Sequence, residues 1–117
     1  MIPMRALIFA LVVASAPVLA LAQDEPRGNA ANGKHLFEVM GCGSCHGYEG
    51  QGSRDGPRLN PPPAYPVTLL QMRMPRDLMP PYREANVSDR QVADLYAYMI
   101  TFPKPPDLNT IRLLREN

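Results

Sequence analysis

The chain has 117 residues, with 12 Lys and Arg against 11 Asp and Glu, and its formal net charge is +1. This balance, without any basic block, excludes an electrostatic nucleic-acid binder and gives no support for docking on an anionic membrane surface. The two cysteines, Cys42 and Cys45, allow one disulfide at most, and its loop would be too short to stabilise the chain much.

The N-terminus has the pattern of an export signal. Arg5 precedes an apolar run over residues 6–21, which closes with Ala20-Leu21-Ala22 before polar residues. A basic start, an apolar run and a small-residue cleavage site are typical of a secretory signal peptide. We therefore expect removal of residues 1–22, a periplasmic mature protein and no strong membrane association. The alternative is an uncleaved anchor, because the run approaches the ~17 residues that can span a bilayer.

The mature chain would then be short, at roughly 95 residues. A domain of that size usually needs a disulfide framework, a metal or a cofactor to be stable. Since the cysteines cannot form a framework, their clustering points to a cofactor. We expect a polar lead-in at 23–28, one domain at 29–102, and a Pro-rich linker and tail at 103–117.

The pattern along the domain predicts helices separated by loops. Residues 29–40 predict a first helix, whose apolar residues recur at helical spacing: Leu36, Val39 and Met40. Residues 43–66 are dense in Gly and Pro and predict an ordered loop without long regular elements. Residues 67–74 predict a short helix, which Pro75 ends.

The last helix has the strongest local signals. Ser88 followed by Gln91 is a capping-box pattern, and Asp89 adds negative charge to the first turn. The apolar residues that follow fall on one face: Val92, Leu95, Tyr96, Met99 and Ile100. Pro103 is expected to end this helix. Because no alternating β-branched run remains between the prolines, the predicted fold is all-α.

The sequence Cys42-Gly43-Ser44-Cys45-His46 is C-x-x-C-H, the attachment sequence for c-type haem. Two thiols at this spacing add across the two vinyl groups of one porphyrin, and the adjacent imidazole lies under the iron. We therefore expect one haem c, covalent through Cys42 and Cys45, with His46 as an axial ligand. The haem would supply the core that a short chain lacks.

Three other interpretations of the cysteines remain open. A thiol–disulfide oxidoreductase also uses C-x-x-C, but beside a βαβ pattern that this chain does not offer. A zinc site would need two further ligands, and His35 is the obvious remaining nitrogen donor. An inert structural disulfide is the third interpretation.

The second axial position of the iron separates electron transfer from chemistry on a bound ligand. Five methionines follow the signal peptide: Met40, Met72, Met74, Met79 and Met99. Met79 is the preferred ligand, because Pro80-Pro81 hold the backbone extended directly after it. Met74-Pro75 is the alternative methionine, and His35 would give a bis-histidine iron. An open sixth position would instead fit a haem protein that acts on peroxide or senses a gas.

With these residues the chain resembles a class I cytochrome c of the small, mono-haem, bacterial periplasmic type. The resemblance covers roughly residues 29–102 and implies a fold in which the N- and C-terminal helices cross and Pro/Gly-rich loops wrap around one haem. It also implies that Met79, in Met79-Pro80, is the sixth ligand. The segment Pro61-Pro62-Pro63 and the tail beyond Phe102 depart from the family pattern.

The same resemblance implies roles for residues around the haem. Gly56-Pro57-Arg58-Leu59 matches the family's Gly-Pro-x-Leu, in which the proline carbonyl accepts a hydrogen bond from the proximal histidine. Pro57 would thus orient His46. Residues that match the family's helix contact are Gly33 and Phe37 on the first helix and Leu95 and Tyr98 on the last.

The function that the resemblance implies is that of an electron carrier of the respiratory chain, and not an enzyme. Its expected donor is a periplasmic dehydrogenase of the flavin, molybdenum or quinone type. The chain would be either a subunit of that dehydrogenase or a freely diffusing carrier. Its expected acceptor is a downstream cytochrome or an oxidase.

The few lysines bear on how such partners would dock. Only Lys34 and Lys104 follow the signal peptide, so we expect modest electrostatic steering and contact through apolar surface. The candidate contact residues are Pro61–Ala64, Met72 and Met74. Five arginines are candidates for pairing with haem propionates or for an interface rim, with a solvated surface position as the alternative: Arg54, Arg58, Arg73, Arg76 and Arg83.

Overall fold

The computed structural model describes residues 26–115. It contains helices α1 (Ala30–Val39), α2 (Gly43–His46), α3 (Tyr65–Arg73), α4 (Asp89–Met99) and α5 (Arg112–Arg115), with a 3₁₀ turn at Leu108–Thr110. The described residues contain no strand, and the all-α prediction is confirmed. No described helix is long and apolar enough to cross a membrane. The signal peptide predicted at 1–22 lies outside the described residues.

Helix α1 agrees with the predicted segment 29–40 because both flanking residues act as caps. The Asn29 side chain accepts hydrogen bonds from the backbone N–H groups of Ala31 and Asn32, and Met40 is the C-cap. Of the apolar residues whose spacing predicted this helix, Leu36 and Met40 are partly buried and Val39 is exposed. The buried residues of this helix are Gly33 and Phe37.

Helix α4 begins as its capping box predicts. The Ser88 side chain accepts from the Gln91 backbone N–H, and the Gln91 side chain accepts from the Ser88 backbone N–H. The helix ends at Met99, before the predicted stop at Pro103. Ile100 is its C-cap and is half exposed, so its assignment to the apolar face was wrong.

The crossing of α1 and α4 is the most extensive helix contact in the described chain. It depends on Gly33, where a Cβ atom would overlap the Asp94 carbonyl and lie 2.9 Å from the Tyr98 Cβ. One turn later the Phe37 and Tyr98 rings meet edge to face at 5.6 Å. Leu95 is buried in the same hydrophobic core as Phe37. The helix contact that the resemblance implied is therefore present.

Asp94 fastens this crossing from within the apolar face of α4. Its carboxylate accepts from the Asn29 backbone N–H at 2.6 Å and from the Asn32 side-chain amide at 2.7 Å. Asp94 is only 4% exposed, so its carboxylate lies largely outside water, whereas the donor residues Asn29 and Asn32 are exposed. A single buried carboxylate thus holds the start of α1 against α4.

Helix α3 packs on α4 and completes the core. It begins two residues before the predicted segment 67–74, with Pro66 in its first turn, where a missing backbone N–H costs nothing. The Tyr65 and Tyr96 rings meet edge to face at 5.6 Å. Met72 is 7% exposed and belongs to the core. The prediction that Met72 forms part of a docking surface was therefore wrong.

Candidate haem site

The two cysteines lie on a single helical turn that follows α1. The Cys42 backbone N–H donates to the Phe37 carbonyl at 3.1 Å, and the His46 N–H donates to the Cys42 carbonyl at 3.0 Å. Both thiols are free. Cys42 packs against the core, whereas Cys45 is exposed. Burial raises the pKa of the Cys42 thiol, and the neighbouring Cys45 adds to that rise.

His46 is oriented by a backbone carbonyl. Its Nδ1 atom lies 2.8 Å from the carbonyl oxygen of Pro57. Because a carbonyl oxygen only accepts hydrogen bonds, Nδ1 carries the hydrogen and Nε2 presents a lone pair. That tautomer is the one in which Nε2 can bind a metal.

The loop that carries Pro57 is tied to α2 by backbone contacts. The Gly52 N–H donates to the His46 carbonyl at 2.8 Å, and the Ser53 hydroxyl donates to the Cys45 carbonyl at 2.5 Å. A Cβ atom at Gly56 would lie 2.8 Å from the Cys45 carbonyl oxygen and 3.0 Å from the His46 Nδ1. The close approach of this loop to the imidazole therefore requires glycine at position 56.

Met79 lies on the loop between α3 and α4 and is partly buried against the core. The Gln71 amide on α3 donates to its sulfur, with 3.8 Å between Nε2 and Sδ. Three residues further on, the Tyr82 N–H donates to the Met72 carbonyl at 2.8 Å. The Arg73 guanidinium donates to the Tyr82 carbonyl at 2.6 Å and pairs with Asp89. We call residues 79–82 the methionine loop.

The methionine loop and the attachment turn pack against the same hydrophobic core. Burial raises the pKa of the Tyr82 phenol, and negative charge on Cys42 and Cys45 raises it further. Cys42, Met79 and Tyr82 also pack against one hydrophobic core. The Cys42 thiol and the Met79 thioether thus lie against the same core, and Cys45 and His46 follow Cys42 on the same helical turn.

These donors fit haem c. Free thiols separated by two residues suit the porphyrin vinyl groups, and His46 offers Nε2 as an iron ligand. The thioether of Met79 is a soft donor of the kind that the second axial position takes in cytochromes c. In residues 26–115 no group of three or more His, Cys, Asp and Glu side chains is placed to hold a metal ion.

Other predicted candidates occupy different surroundings. Met74 is 73% exposed, and it lines a cleft of about 390 Å³ on the outer side of α3 with Val67, Leu70, Gln71 and Arg76. His35 is exposed on α1. Among the five arginines, Arg73 is occupied by the methionine loop and Arg58 donates to the Pro103 carbonyl at 3.3 Å. The other three are exposed: Arg54, Arg76 and Arg83.

Comparison with known proteins separates the interpretations of the C-x-x-C-H sequence. The sequence model of the family described as cytochrome c oxidase, cbb3-type, subunit III matches residues 28–99. The chain belongs to this family. No curated protein and no solved structure was found to match it. As a c-type cytochrome domain it binds haem c, and its chemistry is haem-based electron transfer.

Sequence reasoning missed the contacts of Gln71 and Asp94 in this cytochrome domain, and it named Arg73 only as a candidate for propionate pairing or an interface rim. Gln71 meets the Met79 sulfur, Arg73 holds the methionine loop, and Asp94 fastens α1. Only Asp94 carried a signal, since it is a carboxylate flanked by apolar residues in the middle of a helix. Gln71 and Arg73 are ordinary polar residues of a short helix, and their partners become visible only when the loop is folded back.

Proposed function

We propose that this chain is a periplasmic, mono-haem electron-transfer cytochrome c of class I, with His46 and Met79 as the axial ligands of one haem attached through Cys42 and Cys45. When bound, the haem supplies a one-electron couple whose iron keeps both ligands in either oxidation state. The protein residues hold the two ligands, exclude water and leave no position on the iron for a substrate. The chain then acts as a carrier and not as an enzyme.

One observation carries the proposal. The C-x-x-C-H turn presents His46 in the tautomer that Pro57 fixes, and Met79 packs against the same hydrophobic core as Cys42 of that turn. A closed iron needs one ligand from each of these two segments. The partly buried Met79 also suits this role better than Met74, which is 73% exposed.

The test of the closed iron is a visible spectrum of the exported protein, oxidised and then reduced, before and after carbon monoxide. We expect sharp reduced bands that carbon monoxide does not shift, and in the ferric protein the weak red band of iron–methionine coordination. A shift of the reduced bands of the wild-type protein on addition of carbon monoxide would contradict the proposal and favour the haem protein with an open site.

Export is tested by the chain length of the haem-bearing protein. We expect the periplasmic fraction to contain a form that begins after Ala22, as the small-residue site predicts. N-terminal sequencing or intact mass measures the cleavage position. A haem-bearing protein that retains residues 1–22 and sediments with membranes would contradict the periplasmic carrier and support the uncleaved anchor.

We propose as its partners a periplasmic dehydrogenase of the flavin, molybdenum or quinone type as donor and a downstream cytochrome or oxidase as acceptor. The few lysines support docking through short-range contact and not through long-range attraction to an acidic partner. Lys34 lies 4.0 Å from the Glu38 carboxylate, and Lys104 is the remaining lysine after the signal peptide. We expect the rate of electron transfer from the donor to change little with ionic strength. A steep fall of that rate with salt would contradict docking through apolar surface.

A further inference from the structure

The Gln71 side chain contacts the sulfur of Met79, the proposed sixth ligand. Its Nε2 lies 3.8 Å from the Met79 sulfur, and both side chains are partly buried. A thioether is a weak hydrogen-bond acceptor with two lone pairs. One lone pair can bind iron while the other accepts from an amide, so the contact with Gln71 does not compete with ligation.

The fold holds both partners of this contact in place. On α3, Thr68 and Met72 are buried and fix the rotation of the helix, which sets the direction of Gln71. The methionine loop is anchored to the same helix by the bonds of Tyr82 to Met72 and Arg73. The amide and the sulfur are therefore carried by two segments whose backbones are bonded to each other.

We propose that Gln71 is a positioning residue for the Met79 thioether and that it raises the reduction potential of the iron, an inference that rests on the proposed ligation by Met79. The amide orients the sulfur so that its free lone pair faces the metal. It also draws electron density from the sulfur, which makes the thioether a poorer donor to ferric iron. Ferrous iron depends less on that donation, so the hydrogen bond favours the reduced state.

The experiment is a redox titration of the haem-loaded protein and two variants, Gln71→Leu and Gln71→Asn. Both lose the contact, since leucine has no donor and asparagine is one methylene too short to hold its amide at the same place. They differ in polarity, so a common shift belongs to the lost hydrogen bond and not to a drier or wetter pocket. Leu70→Met, on the same helix, is the matched control because leucine has no polar atom to lose.

We expect both Gln71 variants to favour the oxidised form by about fivefold over wild type, which is about 40 mV at 59 mV per tenfold for one electron. The red band of the ferric protein should also move or weaken in both variants, and Leu70→Met should match wild type. Unchanged potentials in the Gln71 variants, or shifts of opposite sign, would overturn the proposal.

The two proposals can fail separately in this experiment. If wild type shows the iron–methionine band and the Gln71 variants keep its potential, the role of Gln71 falls while ligation by Met79 stands. If wild type lacks the band, ligation by methionine falls, and the role of Gln71 falls with it.

Discussion

His46 and Met79 are held in different ways. The imidazole of His46 is fixed by a backbone carbonyl eleven positions away along the chain, at Pro57, and the intervening loop is bonded to α2. Met79 is fixed by side chains and backbone of a neighbouring helix. A backbone carbonyl cannot be removed by most substitutions, whereas Met79 depends on the identity of several side chains. We therefore expect mutations to disturb the position of Met79, the proposed second ligand, more readily than that of His46.

The ligand assignment is tested by comparing Met79→Ala with Met74→Ala. Met79→Ala should leave the haem attached, since both thiols remain, but should open the sixth position to carbon monoxide and abolish the red ferric band. Met74→Ala should behave as wild type, because Met74 is 73% exposed. It is a matched control, since Met74, like Met79, directly precedes a proline. The reverse result would make Met74 the ligand.

Burial of Asp94 makes it the polar residue on which the helix crossing depends most. Asp94→Ala leaves the Asn29 N–H and the Asn32 amide without their acceptor, and we expect unfolding free energy to fall by about 2–3 kcal/mol. Urea unfolding followed by circular dichroism measures this loss. The control is Asp107→Ala, an exposed aspartate that accepts from the Asn109 N–H at 2.9 Å, with an expected change within about 0.5 kcal/mol. Equal losses in the two variants would contradict this role.

Helix α3 is the element that connects the methionine loop to the rest of the fold. Its C-terminal turn supplies Met72 and Arg73 to the loop, and its N-terminal Tyr65 donates to the Asp89 carbonyl at 2.9 Å. Burial and the neighbouring Asp89 charge raise the pKa of Tyr65, so this phenol stays protonated as a donor. The loop is thus connected to α4 through both ends of one short helix.

The anchoring role of Arg73 is tested with Arg73→Met. This change removes the donor to the Tyr82 carbonyl and the ion pair with Asp89, which is partly exposed and contributes little alone. We expect the free energy that holds the methionine loop in place to fall by about 1–2 kcal/mol. On heating, the iron–methionine band should therefore be lost at a lower temperature than in wild type. Arg76→Met, at an exposed neighbouring arginine, should leave the band unchanged. A band equally stable in all three proteins would contradict the anchor.

The sequence predicted features that depend on neighbouring residues along the chain, and it missed features that depend on contacts between distant segments. The capping box of Ser88 and Gln91 and the cap at Asn29 are local, and the helix starts followed from them. The turn α2 was missed because four residues between glycines show no periodicity. Met72 was placed on the surface because its burial arises from packing between α3 and α4. The axial pair and the role of Pro57 stay predictions that the geometry supports.

At the scale of the whole molecule, a small apolar core leaves the haem to supply much of the stability. Within residues 26–115 the buried apolar residues are few: Phe37, Met72, Val87, Val92, Ala93, Leu95, Tyr96, Met99 and Phe102. They lie on the side formed by α1, α3 and α4. A core of this size is marginal for an independent domain, so a covalent apolar cofactor would complete it.

Comparison of Cys42→Ala with Cys45→Ala tests how much the covalent haem contributes. Each variant loses one thioether bond, but Cys42 also packs against the core while Cys45 is exposed. We expect a lower yield of folded protein in both variants. The unfolding free energy of Cys42→Ala should be about 1 kcal/mol lower than that of Cys45→Ala, because a small side chain packed against the core is lost. Yield of periplasmic haem protein and thermal unfolding measure this. Wild-type yield and stability in both variants would show that the covalent bonds contribute little.

The attachment of the methionine loop to a single helix means that, under the proposed ligation, the bond of the iron to Met79 would be less durable than its bond to His46. The bonds that hold residues 79–82 come from Gln71, Met72 and Arg73, within the last three residues of the nine-residue α3. A brief detachment of that helix end would release Met79 while His46 stays bonded to Pro57. Such local opening requires less free energy than global unfolding. Destabilising the C-terminal end of α3 would therefore release the proposed methionine ligand before the histidine ligand is lost and before the whole domain unfolds.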